Sequence, residues 1–300
     1  MTLPTELYRH VVWFVEDRPT LYTLLFVSRA VHDAAEAILY YSINAGSKIN
    51  MFNREVKEGG LKPRDARLRE IAMLQLLFHR LASVPRLASY VHELQIQFAP
   101  PKLEELSPGF IPAITAALES TTNLRVLRVL YSMGMGSPEA QSGSVLRGCT
   151  FPHLNDLGLS AIGVTQDVEQ FVSRHPKLVR LSWTPSLVQN LPQRMFISPL
   201  PLLEMIRIDG SIADPLLQTQ PGLKRLLLGL IYTQGHDYGP TLVDVAGSKL
   251  QVLYCSTCDL ASHINKIALN WSNHLRYISY NAFNVSPISI PLSAPNTIFD

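Results

Sequence analysis

A short apolar pattern, LxxLxL, recurs through two thirds of this 300-residue sequence. The pattern, with other apolar residues replacing leucine at some positions, starts at residues 91, 124, 154, 178, 203, 223, 250 and 275. The intervals between starts range from 20 to 33 residues and average about 26, which is typical of chains built from stacked repeats. A chain with this period cannot bury the apolar face of one repeat unless the neighbouring repeats cover it.

Each repeat reads as a strand that is often preceded by a helix. The alternation within LxL predicts a strand, and the stretches VEQFVSRHP and INKIALNW ahead of two strands have helical periodicity. Prolines stand just ahead of four strands, where the chain must turn. We therefore predict an α/β fold in which a curved parallel sheet lines the inner side of a solenoid.

Residues 90 to 284 resemble leucine-rich-repeat proteins through this pattern. The asparagine or cysteine that the family has eight residues after the first leucine is missing from most units, where Ser132, Ile162, Ser186, Ser211, Ile231 and Phe283 stand, and only Cys258 conforms. We therefore expect an irregular solenoid of about eight units over residues 87–284. The proline-rich residues 285–300 are predicted to form a C-terminal cap or tail.

The first 43 residues have a different pattern and are predicted to form three short helices. The first helix is apolar nearly all the way round. Its residues Leu7, Val11, Phe14 and Val15 share one face, while Tyr8, Val12 and Trp13 spread apolar surface over another. The turn EDRP follows, where we expect Pro19 to stop the first helix and Thr20 to cap the second. A module of about forty residues without disulfides or metals is near the lower limit of independent stability, which suggests a partner.

This segment resembles an F-box motif of the fungal type. The landmarks are Leu3-Pro4 followed by Glu6-Leu7, the apolar positions 11 to 15, the sequence VSR at 27 to 29, and the ending LYYSI. The tryptophan often found near the end of the motif is replaced by Leu39-Tyr40-Tyr41. The resemblance implies binding to a Skp adaptor, and through it to a cullin, with adaptor contacts at Leu3, Pro4, Leu7, Val11, Leu24 and Val27.

The alternative interpretation of this segment is a helical cap that rests on the rest of its own chain. Between the segment and the repeats, residues 44–86 are predicted to be a linker and a connecting helix. The helix is expected over residues 65 to 85, because Leu68, Ile71, Leu74, Leu77, Phe78 and Leu81 recur at spacings of three and four.

Motifs of catalysis and metal binding are largely missing from the sequence. There is no GxxxxGK[ST] loop, GxSxG elbow or HExxH helix. Cys255 and Cys258 with His263 are suitable zinc ligands, but a closed site needs four ligands. His32 and Asp33 are interpreted as a solvated helix face. We predict no catalytic residue, no metal, no cofactor and therefore no enzyme.

Charge and cysteine content limit the partners and the compartment. The balance of 26 basic and 24 acidic residues gives a net charge of +2, so we expect neither nucleic acid nor membrane as a partner. Three cysteines, the lack of a signal-peptide pattern and apolar runs too short to span a bilayer predict a cytoplasmic or nuclear protein.

Side chains that alternate with the buried leucines must point away from the core of the repeats. Arginine and tyrosine are the types that most often dominate binding energy. We therefore predict that a target protein binds Arg128, Arg180, Arg207, Arg225, Tyr254 and Tyr277. Together with the F-box resemblance, this predicts a substrate-recognition subunit of an SCF-type ubiquitin ligase, and the alternative is a leucine-rich-repeat scaffold that acts independently of ubiquitin.

Overall fold

The computed structural model describes residues 4–46, 63–98, 109–131, 144–160, 162, 165–184, 199–208, 223–228, 251–255, 277–280 and 288–291. The chain divides into two compact units. Unit 1 is formed by Met1–Gln141 with Val145–Leu154, and unit 2 by Ser142–Ser144 with Asn155–Asp300. The domain bounds that the sequence suggested stay a prediction.

Unit 1 begins with three helices and continues with alternating strands and helices. In chain order its elements are α1 (Thr5–Trp13), α2 (Arg18–Leu24), α3 (Arg29–Tyr41), β1 (Ser42–Gly46), α4 (Pro63–Ser83), α5 (Pro85–Tyr90), β2 (Glu93–Phe98), α6 (Phe110–Ser120) and β3 (Val126–Tyr131). Strand β2 pairs in parallel with both β1 and β3. We call helices α1 to α3 the N-terminal module.

Unit 2 contains a sheet with one described helix. Its elements are β4 (Asp156–Ser160), α7 (Gln166–Ser173), β5 (Arg180–Thr184), β6 (Met205–Ile208), β7 (Arg225–Leu228), β8 (Val252–Cys255), β9 (Tyr277–Tyr280) and β10 (Ile288–Pro291). A short 3-10 helix at Ser144–Leu146 has Ser144 in unit 2 and its other two residues in unit 1. Strands β4 to β9 pair in parallel, each with the next, and β10 pairs antiparallel with β9. The predicted fold class, three helices followed by leucine-rich-repeat-like parallel strands, is confirmed.

The N-terminal module has its own small core. Val12, Leu21, Val31, Ala34 and Ala35 are buried together. Side chains at the helix starts satisfy backbone N–H groups that have no partner within the helix, since Asp17 accepts from the Thr20 N–H at 2.9 Å and Ser28 accepts from the Val31 N–H at 3.3 Å.

The predicted cap of α2 was wrong by three residues. Asp17, not Thr20, is the N-cap, and Pro19 lies inside the first turn of α2. Proline is tolerated there because the first N–H groups of a helix have no carbonyl partner within the helix.

The repeat pattern sets the register of the sheet. Every strand from β2 to β9 begins two residues after the start of an LxxLxL pattern, so that the second leucine position of each repeat lies beside that of the next. In unit 2 this row runs from Leu157 through Leu181 and Ile206 to Leu226, and all four side chains are buried. In unit 1, Leu94 and Leu127 pair in the same way.

Strand β1 was missed because its residues were divided between the module and the predicted linker. Ile43 and Ala45 are buried while Ser42 and Asn44 are exposed, which is the alternation of a strand with one covered face. The connecting helix is confirmed as α4. Pro85 does not close it but begins α5, where proline is accepted at the first helical position.

Helix α7 follows the predicted pattern, with Val168, Phe171 and Val172 fully buried. Thr165 caps this helix by accepting a hydrogen bond from the Val168 N–H at 3.4 Å. Ile162, at the position where the repeat family has asparagine, is buried, and its carbonyl accepts a hydrogen bond from the Trp183 indole N–H at 3.2 Å. The Trp183 side chain on the next strand therefore provides the hydrogen bond that the Ile162 carbonyl in this turn needs.

Among the described residues, no helix combines the length and apolar content needed to cross a membrane.

Candidate functional site

Helix α1 presents two apolar faces, and only one of them is covered. Val12 is buried in the module core, and Tyr8 packs against it from one turn earlier. Leu7, Val11 and Phe14 are exposed by 45%, 64% and 81%. These three residues are spaced by four and three, so they form one continuous stripe on the helix.

A second exposed apolar pair lies in the turn that follows α2. Leu24 and Leu25 are half-buried against the module core, whereas Phe26 and Val27 are exposed by 88% and 63%. The Phe26 and Val27 N–H groups donate to carbonyls three residues earlier, which closes a tight turn before α3. We refer to Leu7, Val11, Phe14, Phe26 and Val27 as the outer apolar residues.

The six predicted adaptor contacts differ in their exposure. Pro4, Leu7, Val11 and Val27 are exposed. Leu24 is half-buried, and its side chain contributes to the module core. Leu3 lies outside the described residues, and a role in adaptor binding stays a prediction for all six.

Phe14 and Phe26 were not among the predicted contacts, although both are more exposed than Leu7, Val11 and Val27. Phe14 has the helical spacing of Leu7 and Val11, and that spacing could have identified it. Phe26 stands in the run LLFVS, where no periodicity distinguishes the inward leucines from the outward phenylalanine.

Aromatic contacts link α1 to the end of α3 and to the residue just before β2. The Trp13 ring packs edge-on against Tyr41, with centroids 5.2 Å apart, and Tyr41 stacks on His92 at 4.6 Å. Arg18 also donates to the Ser42 carbonyl at 2.9 Å. The outer apolar residues therefore stand on a module that is tied to the neighbouring sheet.

A charged cluster joins α3 to α5. The Arg86 guanidinium donates to Asp33 Oδ1 at 2.9 Å and also to Glu36, and the hydrogen bond to Asp33 raises the pKa of Arg86. His32 lies close by, with Nε2 3.9 Å from Glu36 Oε1. The interpretation of His32 and Asp33 as a merely solvated face was incomplete, because it could not include an arginine fifty residues away.

The same cluster brings three possible metal ligands together, since atoms of His32, Asp33 and Glu36 lie within 4.8 Å of one another. Arg86 already supplies a cation to both carboxylates. Because an additional divalent ion would be repelled by this guanidinium, the cluster is better suited to holding α3 against α5 than to binding a metal. The Cys258 and His263 part of the zinc hypothesis lies outside the described residues.

The predicted target-binding residues lie on strands as the alternation requires. Arg128 is exposed on β3 in unit 1, while Arg180, Arg207 and Arg225 are exposed on β5, β6 and β7 in unit 2. Tyr254 and Tyr277 belong to β8 and β9, but their side chains lie outside the described residues. Whether these six residues bind a target stays a prediction.

Two ion pairs connect neighbouring repeats on the arginine-bearing strands. Arg180 lies 3.5 Å from Asp156, its partner in the register of β4 and β5. Glu204 accepts a hydrogen bond from the Lys224 ammonium, which lowers the pKa of the Glu204 carboxyl, and the more distant Arg225 and Arg180 act in the same direction. Asp156 and Glu204 therefore each have a cation beside them.

Comparisons with known proteins identify no family for the chain. No protein-family model matches the sequence, and no curated protein matches it. Among solved structures, the leucine-rich-repeat-containing protein LegL7 from Legionella pneumophila is similar over 72% of this chain and 74% of its own, with 10% sequence identity and a TM-score of 0.41. The leucine-rich-repeat-like fold therefore rests on the strand register and burial described above.

Proposed function

We propose that this chain is the substrate-recognition subunit of an SCF-type (Skp–cullin–F-box) E3 ubiquitin ligase. In this proposal the N-terminal module binds a Skp adaptor, which links it to a cullin, and the repeats bind a target protein. The observation that carries the proposal is the exposure of the outer apolar residues on a module that already has a packed core.

The distribution of exposed apolar side chains supports a docking role for the module. Seven of the ten large exposed apolar residues among the described ones fall between Leu7 and Val27, and only Met73, Leu76 and Leu202 lie elsewhere. Concentrated apolar exposure marks interaction surfaces, because burial against a partner gains roughly 25 cal/mol for each Å² removed from water. The F-box resemblance of residues 3 to 43 assigns a Skp adaptor as that partner.

The proposed mechanism is proximity, without a catalytic residue in this chain. A target held on the repeats would bring its lysine close to a ubiquitin-charged enzyme on the same scaffold, and tethering raises the effective concentration of the two reacting groups. The proposal requires no cofactor, nucleic acid or membrane, and places the protein in the cytoplasm or nucleus.

The decisive experiment measures binding of the purified full-length protein to a purified Skp adaptor. We expect a stable complex that is weakened at least tenfold by the double substitution Leu7→Ala and Val11→Ala, because apolar anchors dominate such interfaces. The matched control is Arg9→Ala with His10→Ala, two exposed residues of the same helix, and we expect it to bind as the unmodified protein does.

Two results would reject the receptor proposal. One is failure of the intact protein to bind the adaptor, and the other is equal binding by both double variants. The function would then fall to the alternative, a leucine-rich-repeat scaffold that acts independently of ubiquitin. The substitution of Leu3 and Pro4 by alanine tests the outermost part of the same motif.

A further inference from the structure

Three neighbouring strands of unit 2 present arginines on one face of the sheet. Arg180 on β5, Arg207 on β6 and Arg225 on β7 are exposed, and each is adjacent in sequence to a fully buried residue, Leu181, Ile206 or Leu226. Because successive side chains of a strand point to opposite faces, the three guanidinium groups share the face opposite to the leucine row.

The strand register fixes the spacing of these arginines along the backbone. Arg180 and Arg225 each pair with Met205 of the central strand, so they lie two strands apart, about 10 Å between backbones. Arg207 lies two residues beyond Met205, about 7 Å along β6. The three positions therefore form a triangle with sides of roughly 8, 8 and 10 Å.

The carboxylates that the structure describes in this region already have cationic partners. Asp156 lies beside Arg180, and Glu204 accepts a hydrogen bond from Lys224. Among the residues that the structure describes, no carboxylate is within ion-pair distance of Arg207 or Arg225. On the described part of this face, the exposed guanidinium groups of Arg207 and Arg225 therefore remain available to an anionic ligand.

We propose that this face binds an acidic stretch of a partner polypeptide. The inference rests on the proposed function, in which the repeats hold a target protein, and it specifies the chemistry of the segment that is held. An extended chain places every second side chain about 7 Å apart, close to the spacing of the triangle, so two or three anionic groups of one segment can reach the three arginines. Guanidinium binds carboxylate and phosphate oxygens with paired hydrogen bonds, so the anion is supplied either by Asp and Glu or by phosphorylated Ser and Thr.

The test uses the full-length protein and three labelled octapeptides that alternate glycine with glutamate, phosphoserine or glutamine. We expect the glutamate or the phosphoserine peptide to bind, the glutamine peptide to bind at least tenfold more weakly, and the affinity to fall as salt rises from 50 to 300 mM. Tighter binding of one anionic peptide identifies the source of the anion. A single-stranded DNA octamer is measured beside them.

The matched variants remove two positive charges each from unit 2. Arg207→Gln with Arg225→Gln should weaken binding of the anionic peptide about fivefold, whereas Arg174→Gln with Lys177→Gln, which are exposed outside the strands, should leave it unchanged. Arg180 is left in place because its removal would leave Asp156 without its cation.

The proposal is overturned by absence of binding to both anionic peptides, by equal binding of the glutamine peptide, by equal effects of the two double variants, or by tighter binding of the DNA. A measurement of Skp adaptor binding shows whether the acidic-ligand proposal has failed alone or whether the proposed function has failed as well. If the unmodified protein binds the Skp adaptor but neither anionic peptide, only the acidic ligand is rejected, because the three arginines belong to unit 2 and the adaptor is proposed to bind the N-terminal module of unit 1.

Discussion

The N-terminal module and the repeat strands use their apolar residues differently. In the repeats, the leucine positions that start the pattern are buried with almost no exposed surface, as at Leu154, Leu178 and Leu203. In the module, Val12 and Leu21 are nearly as well buried, but Phe14 at the end of α1 and Phe26 in the turn after α2 are exposed by 81% and 88%.

The difference follows from how each region completes its core. A repeat strand has a neighbour in register on the next repeat, and the row of leucines is covered as the strands assemble. The module has only three short helices, whose small core cannot cover two apolar faces of α1. Apolar side chains in the repeats therefore contribute to stability, whereas the outer apolar residues of the module are available for binding.

The largest expected effect is that of Trp183→Ala. Trp183 is fully buried on β5, and its indole N–H donates to the Ile162 carbonyl. Removing it leaves a cavity and an unpaired carbonyl, so we expect the free energy of unfolding to fall by about 3–5 kcal/mol. Urea denaturation followed by circular dichroism measures the change.

The control for this substitution is Leu202→Ala, in the turn before β6 of the same unit. Leu202 is exposed by 54%, so we expect this substitution to lower the free energy of unfolding by less than about 0.5 kcal/mol. A similar loss for both variants would show that the strands of unit 2 are not packed as described, and would remove the contrast with the module.

Helix caps in the two regions are expected to have the same intermediate effect. Ser28 caps α3 in the module, and Thr165 caps α7 in the repeats. Replacing either by alanine leaves a helix N–H without its partner, which costs about 1 kcal/mol, and asparagine at the same position should restore most of it. If only one of the two alanine variants is destabilised in thermal unfolding, the regions differ in helix stability as well as in apolar exposure.

The repeat sheet could be predicted from the sequence because its information is local and periodic. An LxL alternation specifies which face of a strand is buried, and equal positions in successive repeats specify the register, as in the row from Leu157 to Leu226. The exposure of Arg207 and Arg225 on the opposite face follows from the same alternation.

Other features depend on residues that are distant in sequence. The partner of Asp33 and Glu36 is Arg86, on another helix, and no pattern around residue 33 indicates it. Strand β1 is short, with Ile43 and Ala45 buried, and it forms because β2 lies beside it. Phe26 lies within the turn after α2, where its N–H donates to the Thr23 carbonyl, and composition alone does not show that its side chain is exposed there.

Below pH 6.5, burial of His175 should make the repeats less stable. The neutral His175 ring donates from Nδ1–H to the Phe171 carbonyl at 2.6 Å. Burial lowers the pKa of His175, nearby Arg174 lowers it further, and the bond to Phe171 opposes both. The pKa of His175 in the unfolded chain is about 6.5. At pH values between its folded-state pKa and its unfolded-state pKa, the unfolded chain therefore binds more protons than the folded one. The stabilisation that comes from neutral His175 is therefore fully present above about pH 6.5, and it is lost as the pH falls toward the folded-state pKa of His175.

The variant His175→Gln should lose this contribution and show a flatter dependence of unfolding free energy on pH between about 5 and 7.5. His153→Gln, at an exposed turn, is the control and should keep the dependence of the unmodified protein. An unchanged profile for His175→Gln would mean that the imidazole is not held neutral in the folded state.

The smallest expected effect on stability belongs to Phe26→Ala, and it is the sharpest test of the contrast between the two regions. Phe26 is exposed by 88%, so its truncation removes almost no buried surface and should change the free energy of unfolding by less than about 0.5 kcal/mol. If the outer apolar residues bind the adaptor, the same variant should weaken that complex by about tenfold, as truncation of an aromatic anchor does.

Isothermal titration of the adaptor measures the affinity, and urea denaturation of the free chain measures the stability, so the two effects are separated. A loss of stability above about 1 kcal/mol would place Phe26 in the module core, and an unchanged adaptor affinity would exclude it from the interface. Either result would weaken the contrast between the module and the repeats. Phe26, the most exposed of the outer apolar residues, would then not be a residue that serves binding without serving folding.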